Sequence, residues 1–342
     1  MPIVDHLFVQ DFGAFVSKHQ GRLRVTVKGA KRLEAPLMHL QTVRLAAHGV
    51  SISADAIAAC AAEGIPVYVV DRWGRPVATL YASALIGTVK TRRAQLLAYE
   101  TERGLTVARA LALGKLRHQA GLLRYLAKYR KKSDPPLYAR LTEAAIDVLA
   151  HEQDVLAIKA ARVDEAREAL LSAEARGARV YWAALKELIP EELEWPGRRR
   201  RGAQDVFNMA LNYGYGILYG EIERAAVLAG LDPYAGFLHT DRPGKPSLVL
   251  DLIEPFRPLV VDRTILAMIT KGTKFEREKD GAFTIGTRET IVAKVQERLD
   301  APARYGEQRL SLRAIIQHQA RTLATFLRDE TVAELNVYQM VW

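Results

Sequence analysis

The chain has 342 residues, with 49 Lys plus Arg against 39 Asp plus Glu, a net charge of +10. Its 49% hydrophobic and 26% charged residues exclude a disordered chain, and the length suggests about two domains. The single cysteine, Cys60, excludes an internal disulfide and any multi-cysteine zinc or iron–sulfur site.

The basic excess is compatible with nucleic acid, acidic lipid or an acidic protein as partner. The opening MPIVDHLFVQDFG has neither a basic stretch nor a continuous apolar one, so no secretory signal is expected. No apolar run approaches the roughly 18 residues of a membrane span. The expectation is a soluble, cytoplasmic protein with no membrane partner.

In chain order, the first 88 residues have β character. Leu7–Gln10 and Ala14–Lys18 flank Asp11-Phe12-Gly13 and read as a hairpin. Arg22–Lys28 alternates polar and apolar residues, the period of a half-buried strand. Met38–Ala46, Val50–Ser53, Ile65–Val70 and Val77–Tyr81 are further strand candidates. Asp55–Glu63 reads as a short helix stopped by Gly64 and Pro66. Near Gly87 the pattern changes to a helical period. Helices are expected over Ala94–Arg103, Val107–Arg130, Pro136–His151 and Val155–Ile189. After a break at PEELEWPGRRRRG, helix resumes from Ala203 towards Gly230. Leu231–Gly244 reads as loop, Asp251–Lys271 as a helix kinked at Pro258, and Thr290–Leu299 and Leu310–Leu327 as the last helices. The expected fold is α+β: a β-rich domain over 1–88, then a larger all-α domain over 89–342.

Charge is spread thinly. Residues 1–88 hold 9 Lys/Arg and 6 Asp/Glu, and the remainder holds 40 and 33. The concentrated clusters are Lys128–Lys132 and Arg198–Arg201. The first closes a helix, where cations favour the dipole. The second follows Pro196-Gly197 in a loop expected to be flexible. It is either a solvated charge run or a phosphate contact.

Three segments carry possible chemistry. Glu174 lies four, seven and eight residues before Ala178, Tyr181 and Trp182, so in a helix its carboxylate points towards an apolar stripe. It is either exposed at the stripe's edge, paired with Arg, or held by a cation or metal. His239 ends Gly236-Phe237-Leu238 at a loop, and is either a satisfied histidine or a ligand. Asp251 and Glu254 lie three apart in an apolar run, a spacing that shares a helical face and also suits a helix start. A His and two carboxylates from separate helices form an oxygen and nitrogen donor set suited to Mg²⁺ or Mn²⁺. Basic residues are interleaved: Arg242, Lys245, Arg257, Arg263 and Lys271. The 65 residues between Glu174 and His239 leave open whether they meet.

These segments resemble the CRISPR-associated adaptation endonuclease family, Cas one. The resemblance is carried by Glu174–Trp182, Asn212-Tyr213-Gly214-Tyr215-Gly216-Ile217-Leu218-Tyr219-Gly220, Gly230–His239 and Ser247–Pro258. Val50–Ser53, Gly64–Val67 and Asp71–Pro76 are similar to the family's N-terminal sheet domain. The resemblance implies Glu174, His239 and Glu254 as metal ligands and catalytic residues, for Mg²⁺ or Mn²⁺. It implies for Asp251 an orienting or capping role behind them. Arg198, Arg199, Arg200, Arg201, Arg242, Lys245, Arg257 and Lys271 are candidates for DNA contact. The implied activity is a DNA endonuclease and integrase that inserts spacer DNA into a CRISPR array by 3′-hydroxyl attack. The implied partners are double-stranded DNA (prespacer and repeat), a second copy in a homodimer formed through the β domains, and the small Cas two protein in a heterohexamer. Two other readings are a non-catalytic basic DNA-binding scaffold with the same fold and a hydrolase of small phosphate esters.

Overall fold

The computed structural model describes residues 5–46, 48–74, 76–81 and 88–342. The expected opening segment 1–4, Arg75 and the pattern change at Gly87 lie outside them. The chain divides into two compact units. One comprises Met1–Ile86 with Arg277–Ile285, and the other Gly87–Glu276 with Gly286–Trp342. The return of 277–285 to the first unit has no counterpart in the sequence reading.

The first unit contains two four-stranded sheets. β1 (His6–Val9), β5 (Thr42–Ala46), β7 (Val67–Val70) and β8 (Pro76–Leu80) form one, in that spatial order, with β8 antiparallel. β4 (Ala30–Pro36), β3 (Arg22–Val27), β2 (Ala14–His19) and the two-residue β6 (Ser51–Ile52) form the other. The expected hairpin across Asp11-Phe12-Gly13 is not formed: β1 and β2 belong to different sheets. The true hairpins turn at Gln20-Gly21 and Lys28-Gly29, where all four residues have φ between +45° and +78°. Paired left-handed residues match the twist of antiparallel strands. Alternate residues Val16, Leu23, Val25, Val43, Leu45 and Val67 share a core with Cys60 of α1 (Ala54–Ala62). Burial pushes the Cys60 thiol up to about 11, so it behaves as a small apolar side chain.

The second unit is built on α2 (Thr88–Tyr99), α3 (Glu102–Lys128), α4 (Pro135–Ala157), α5 (Val163–Lys186), α6 (Val206–Leu228), α7 (Ser247–Ile253), α8 (Arg263–Thr270), α9 (Ile285–Asp300) and α10 (Leu312–Arg328). Side-chain caps start several of them: Asp134 receives the Leu137 N–H at 3.0 Å, and Asp205 the Asn208 N–H at 2.8 Å. The unit also carries a hairpin of β9 (Pro302–Tyr305) and β10 (Gln308–Ser311). The expected helix over Val155–Ile189 is interrupted at 158–162. The long α3 runs through the middle, with Leu111, Leu116, Leu122 and Leu123 at 1% exposure or less. Each such leucine contributes about 1.5–3 kcal/mol of burial. No helix among the described residues is long and apolar enough to cross a membrane.

Two local features set up the site. A Cβ on Gly177 would lie 2.4 Å from Leu116 Cδ2, so the glycine lets α5 approach α3 closely. The expected kink at Pro258 falls earlier, at Glu254-Pro255. Pro255 has no N–H, α7 stops at Ile253, and the Glu254 N–H bonds the Asp251 carbonyl in a tightened turn at 3.3 Å. Pro258–Asp262 then forms a π-helical turn leading into α8.

Candidate metal centre

Glu174 is buried on the inner stripe of α5 with Ala173, Gly177 and Tyr181. Its partner is a lysine. Lys115 of α3 places its Nζ 2.5 Å from Glu174 Oε1 and 2.6 Å from Glu254 Oε2. Two carboxylates 80 positions apart in sequence therefore meet on one buried ammonium. Burial opposes charge on Lys115, but the two carboxylates outweigh it and raise its affinity for the proton. Burial would likewise raise the Glu254 carboxyl. Arg257 and Lys115 override it and hold Glu254 well below the usual carboxylate range. Arg257 donates from Nε to Glu254 Oε1 at 3.0 Å, so Glu254 engages one cation with each oxygen.

His239 is held by Asp251. Asp251 lies within α7, not at its start, and its fully buried carboxylate caps the preceding loop instead. Oδ2 accepts the N–H groups of Phe237 and Leu238 at 2.6 and 2.9 Å, and Oδ1 accepts the N–H of His239 at 2.8 Å. His239 Nδ1 lies 2.7 Å from the same Oδ1. An ionised carboxylate can only accept there, so Nδ1 carries a proton and Nε2 is the nitrogen left to act as a ligand when the ring is neutral. Gly236 allows the loop to lie on α7, since a Cβ there would stand 2.7 Å from the Ser247 carbonyl carbon.

The structure thus brings Glu174 and Glu254 together on Lys115 and places His239 within electrostatic reach of Glu254. Among the described residues, no three His, Cys, Asp or Glu side chains form a group able to hold a metal ion, and Lys115 occupies the interval instead. The donor types nevertheless suit a hard divalent cation. Glu174 Oε2 is buried with no hydrogen-bond partner, and Glu254 Oε2 has only the ion pair to Lys115. Carboxylate oxygens with spare acceptor capacity, and a histidine whose Nδ1 is already engaged by Asp251, are donors of the kind that Mg²⁺ or Mn²⁺ takes.

Three supporting residues were absent from the sequence reading. Lys115 is the first. The signal was a cation on the apolar stripe of α3, between Leu111 and Leu122. His118, one turn later, is the second. Its Nδ1 meets the Pro255 carbonyl at 2.7 Å, and its Nε2 accepts the Met340 N–H at 3.1 Å. It ties the break after Glu254 to the C-terminal segment. The third is Asp262 in the π-helical turn. It accepts from Tyr181 at 2.8 Å and from Tyr215. Burial pushes the Asp262 carboxyl up, against the two phenols and the nearby Arg198 and Arg257.

The basic candidates separate into two groups. Arg198 points inward. It stacks over Tyr215 and Trp182 at 5.2 and 5.9 Å and donates to Asn208 and Asn212 at 3.0 and 2.7 Å. Asn208 also holds the Gly197 carbonyl and the Arg199 N–H, and Trp195 packs edge-on against Phe207. The loop expected to be flexible is therefore pinned. Arg257 also points inward, over Tyr215 at 4.4 Å. Arg199, Arg200, Arg201, Arg242 and Lys271 are exposed, and Lys245 is partly buried.

A family model described as CRISPR associated protein Cas1 matches residues 7–297. A CRISPR-associated endonuclease Cas1 of Archaeoglobus fulgidus is 37% identical over 335 residues, 95% of this chain and 96% of that protein. The fold is similar to that of a casposase bound to integration product, with TM-score 0.81 and 21% identity over 97% of this chain and 93% of that one. It is also similar to a chain of a Cas6-RT-Cas1–Cas2 complex, with TM-score 0.73 and 20% identity over 99% of this chain and 37% of that one. With these matches running through both β and helical units, the chain belongs to the CRISPR-associated Cas1 protein family.

Proposed function

We propose that this chain is a metal-dependent DNA endonuclease and integrase that inserts spacer DNA into a CRISPR array, with Glu174, His239 and Glu254 as ligands of Mg²⁺ or Mn²⁺. The observation that carries the reading is the meeting of two buried carboxylates on one ammonium, beside a histidine whose free nitrogen is fixed by Asp251. The name of the Archaeoglobus relative supports the endonuclease activity. The likeness to a casposase bound to integration product supports DNA strand joining, and the likeness to a chain of a Cas1–Cas2 complex supports a Cas two partner.

When bound, the ion would activate the attacking 3′-hydroxyl and balance charge on the phosphate oxygens. The protein's own residues prepare the site for it. Asp251 fixes the His239 tautomer and ring plane. Arg257 keeps Glu254 ionised from the side away from Lys115. Pro255 ends α7 so that Glu254 sits at a break rather than in a continuous helix. Exposed Arg199–Arg201, Arg242 and Lys271 offer charge for duplex phosphates. The assembly that goes with this reading is a homodimer formed through the β units, joined to the Cas two protein in a heterohexamer.

The test follows joining of a labelled 3′ end to a repeat target in Mg²⁺ or Mn²⁺. Glu254→Gln and His239→Ala should each lower it by about a hundredfold or more while circular dichroism stays unchanged. Joining at the wild-type rate by the Glu174→Gln, His239→Ala, Glu254→Gln triple variant would falsify the assignment and favour a DNA-binding scaffold.

A further inference from the structure

Two carboxylates buried side by side need a counter-charge. In this structure Lys115 supplies it, with its ammonium within 2.6 Å of both and its side chain 9% exposed. We infer that Lys115 is the resident cation of the metal-free centre and competes with the divalent ion for the interval between Glu174 and Glu254. Loading the ion then requires the ammonium to withdraw. The inference rests on the reading of Glu174, Glu254 and His239 as metal ligands.

The arrangement of contacts favours this role over a permanent structural pair. Glu254 divides its oxygens: Oε1 takes Arg257, and Oε2 takes Lys115. Removing Lys115 leaves Glu254 still paired with Arg257, while Oε2 becomes available. Glu174 Oε2 has no hydrogen-bond partner at all, so its carboxylate is only half used by the ammonium. A lysine is a compact charge on a four-carbon stem and can swing aside, unlike a guanidinium locked in a two-pronged pair. An ammonium and a divalent ion held between the same two oxygens would repel strongly in so dry a place. They therefore exclude each other, and the site exchanges one cation for the other. The exchange accounts for how acidic ligands stay together in the folded protein before any ion arrives.

The test uses the full chain and Mn²⁺, read by paramagnetic resonance of the free ion and by titration calorimetry. Lys115→Met keeps the length of the side chain and removes its charge. It should bind Mn²⁺ roughly tenfold more tightly or better than wild type. Its metal-free melting temperature should fall, and Mn²⁺ should restore it. Unchanged or weaker Mn²⁺ binding by folded Lys115→Met overturns the inference. Glu254→Gln separates the two readings. If it loses Mn²⁺ binding while Lys115→Met binds as wild type does, the metal site stands and the competition falls. If it binds Mn²⁺ undiminished, both fall. A crystal structure of the Mn²⁺-loaded wild type decides even where Lys115→Met fails to fold. Nζ displaced from both carboxylates supports the exchange, and Nζ still bridging them beside a bound ion overturns it.

Discussion

Asp251 and His239 are joined twice, through the backbone N–H of the histidine at 2.8 Å and its ring Nδ1 at 2.7 Å, both to one carboxylate oxygen. The second oxygen of Asp251 closes on the two preceding amides. One buried side chain thereby sets the loop, the ring plane and the tautomer. Asp251→Asn replaces an acceptor with a donor facing N–H groups. It should cost about 2–3 kcal/mol of stability, since a buried N–H loses its partner. It should also weaken Mn²⁺ binding by about ten- to a hundredfold, the usual effect of loosening the group behind a ligand. Denaturant unfolding and Mn²⁺ titration measure the two effects separately. Full Mn²⁺ affinity in Asp251→Asn would dissociate the loop from the site.

His118 makes stability depend on pH. Burial holds its ring at about 4 against an ordinary value of 6.5, and the Pro255 carbonyl only partly offsets this. Above pH 6.5 the ring is neutral folded or unfolded, and its contribution is fully present. As pH falls from 6.5 towards 4, the unfolded chain takes a proton that the folded one refuses, so stability is lost. The loss should total about 3 kcal/mol and saturate below pH 4. His118→Gln removes the titration and should flatten this part of the curve. The measurement is the difference between wild type and variant unfolding energies at pH 7, 5.5 and 4.5. A constant difference across that range would refute it.

How much of this was legible in the sequence depends on how local each signal is. The stripe carrying Glu174 is periodic, so its inward face could be read from α5 alone. The Asp251–Glu254 spacing was equally plain, but its meaning was not. It suggested a helix start, whereas Asp251 lies mid-helix and caps a loop twelve residues upstream. Lys115 stands on the apolar stripe of α3, which marks a buried cation, but nothing local shows that it meets two distant carboxylates. The Asp11-Phe12-Gly13 turn misled for the same reason. Turn chemistry is local, but the parallel pairing of β1 with β5 is not. The β9–β10 hairpin was hidden because a helical pattern was read from Leu310, past Ser311, which caps α10.

Asp262 receives two phenols in a fully buried place, and each is expected to matter more when the other is gone. Tyr181→Phe and Tyr215→Phe should each cost about 1–2 kcal/mol, since the carboxylate keeps one donor. The double variant leaves Asp262 with no phenol, and its cost should exceed the sum by about 1 kcal/mol. A double-mutant cycle by denaturant unfolding reads the coupling directly. Strict additivity would mean that the two hydroxyls act independently.

The four arginines at 198–201 should divide by role, although they are adjacent. Arg198 is spent on Asn208, Asn212 and the rings of Tyr215 and Trp182, so it anchors the loop. Arg198→Ala should lower stability by about 1–3 kcal/mol, because buried amide oxygens lose a charged donor. It should leave the salt dependence of DNA binding almost unchanged. Arg199, Arg200 and Arg201 are exposed on a backbone that Asn208 and Asn212 hold in place. Replacing these three with serine should leave the melting temperature unchanged. It should reduce the slope of log affinity against log salt by between about two and three, close to one for each phosphate that is no longer neutralised. Duplex binding measured across a salt series distinguishes the two variants. An unaltered slope in the triple serine variant would mean that the exposed run is merely solvated and that the duplex lies against another face.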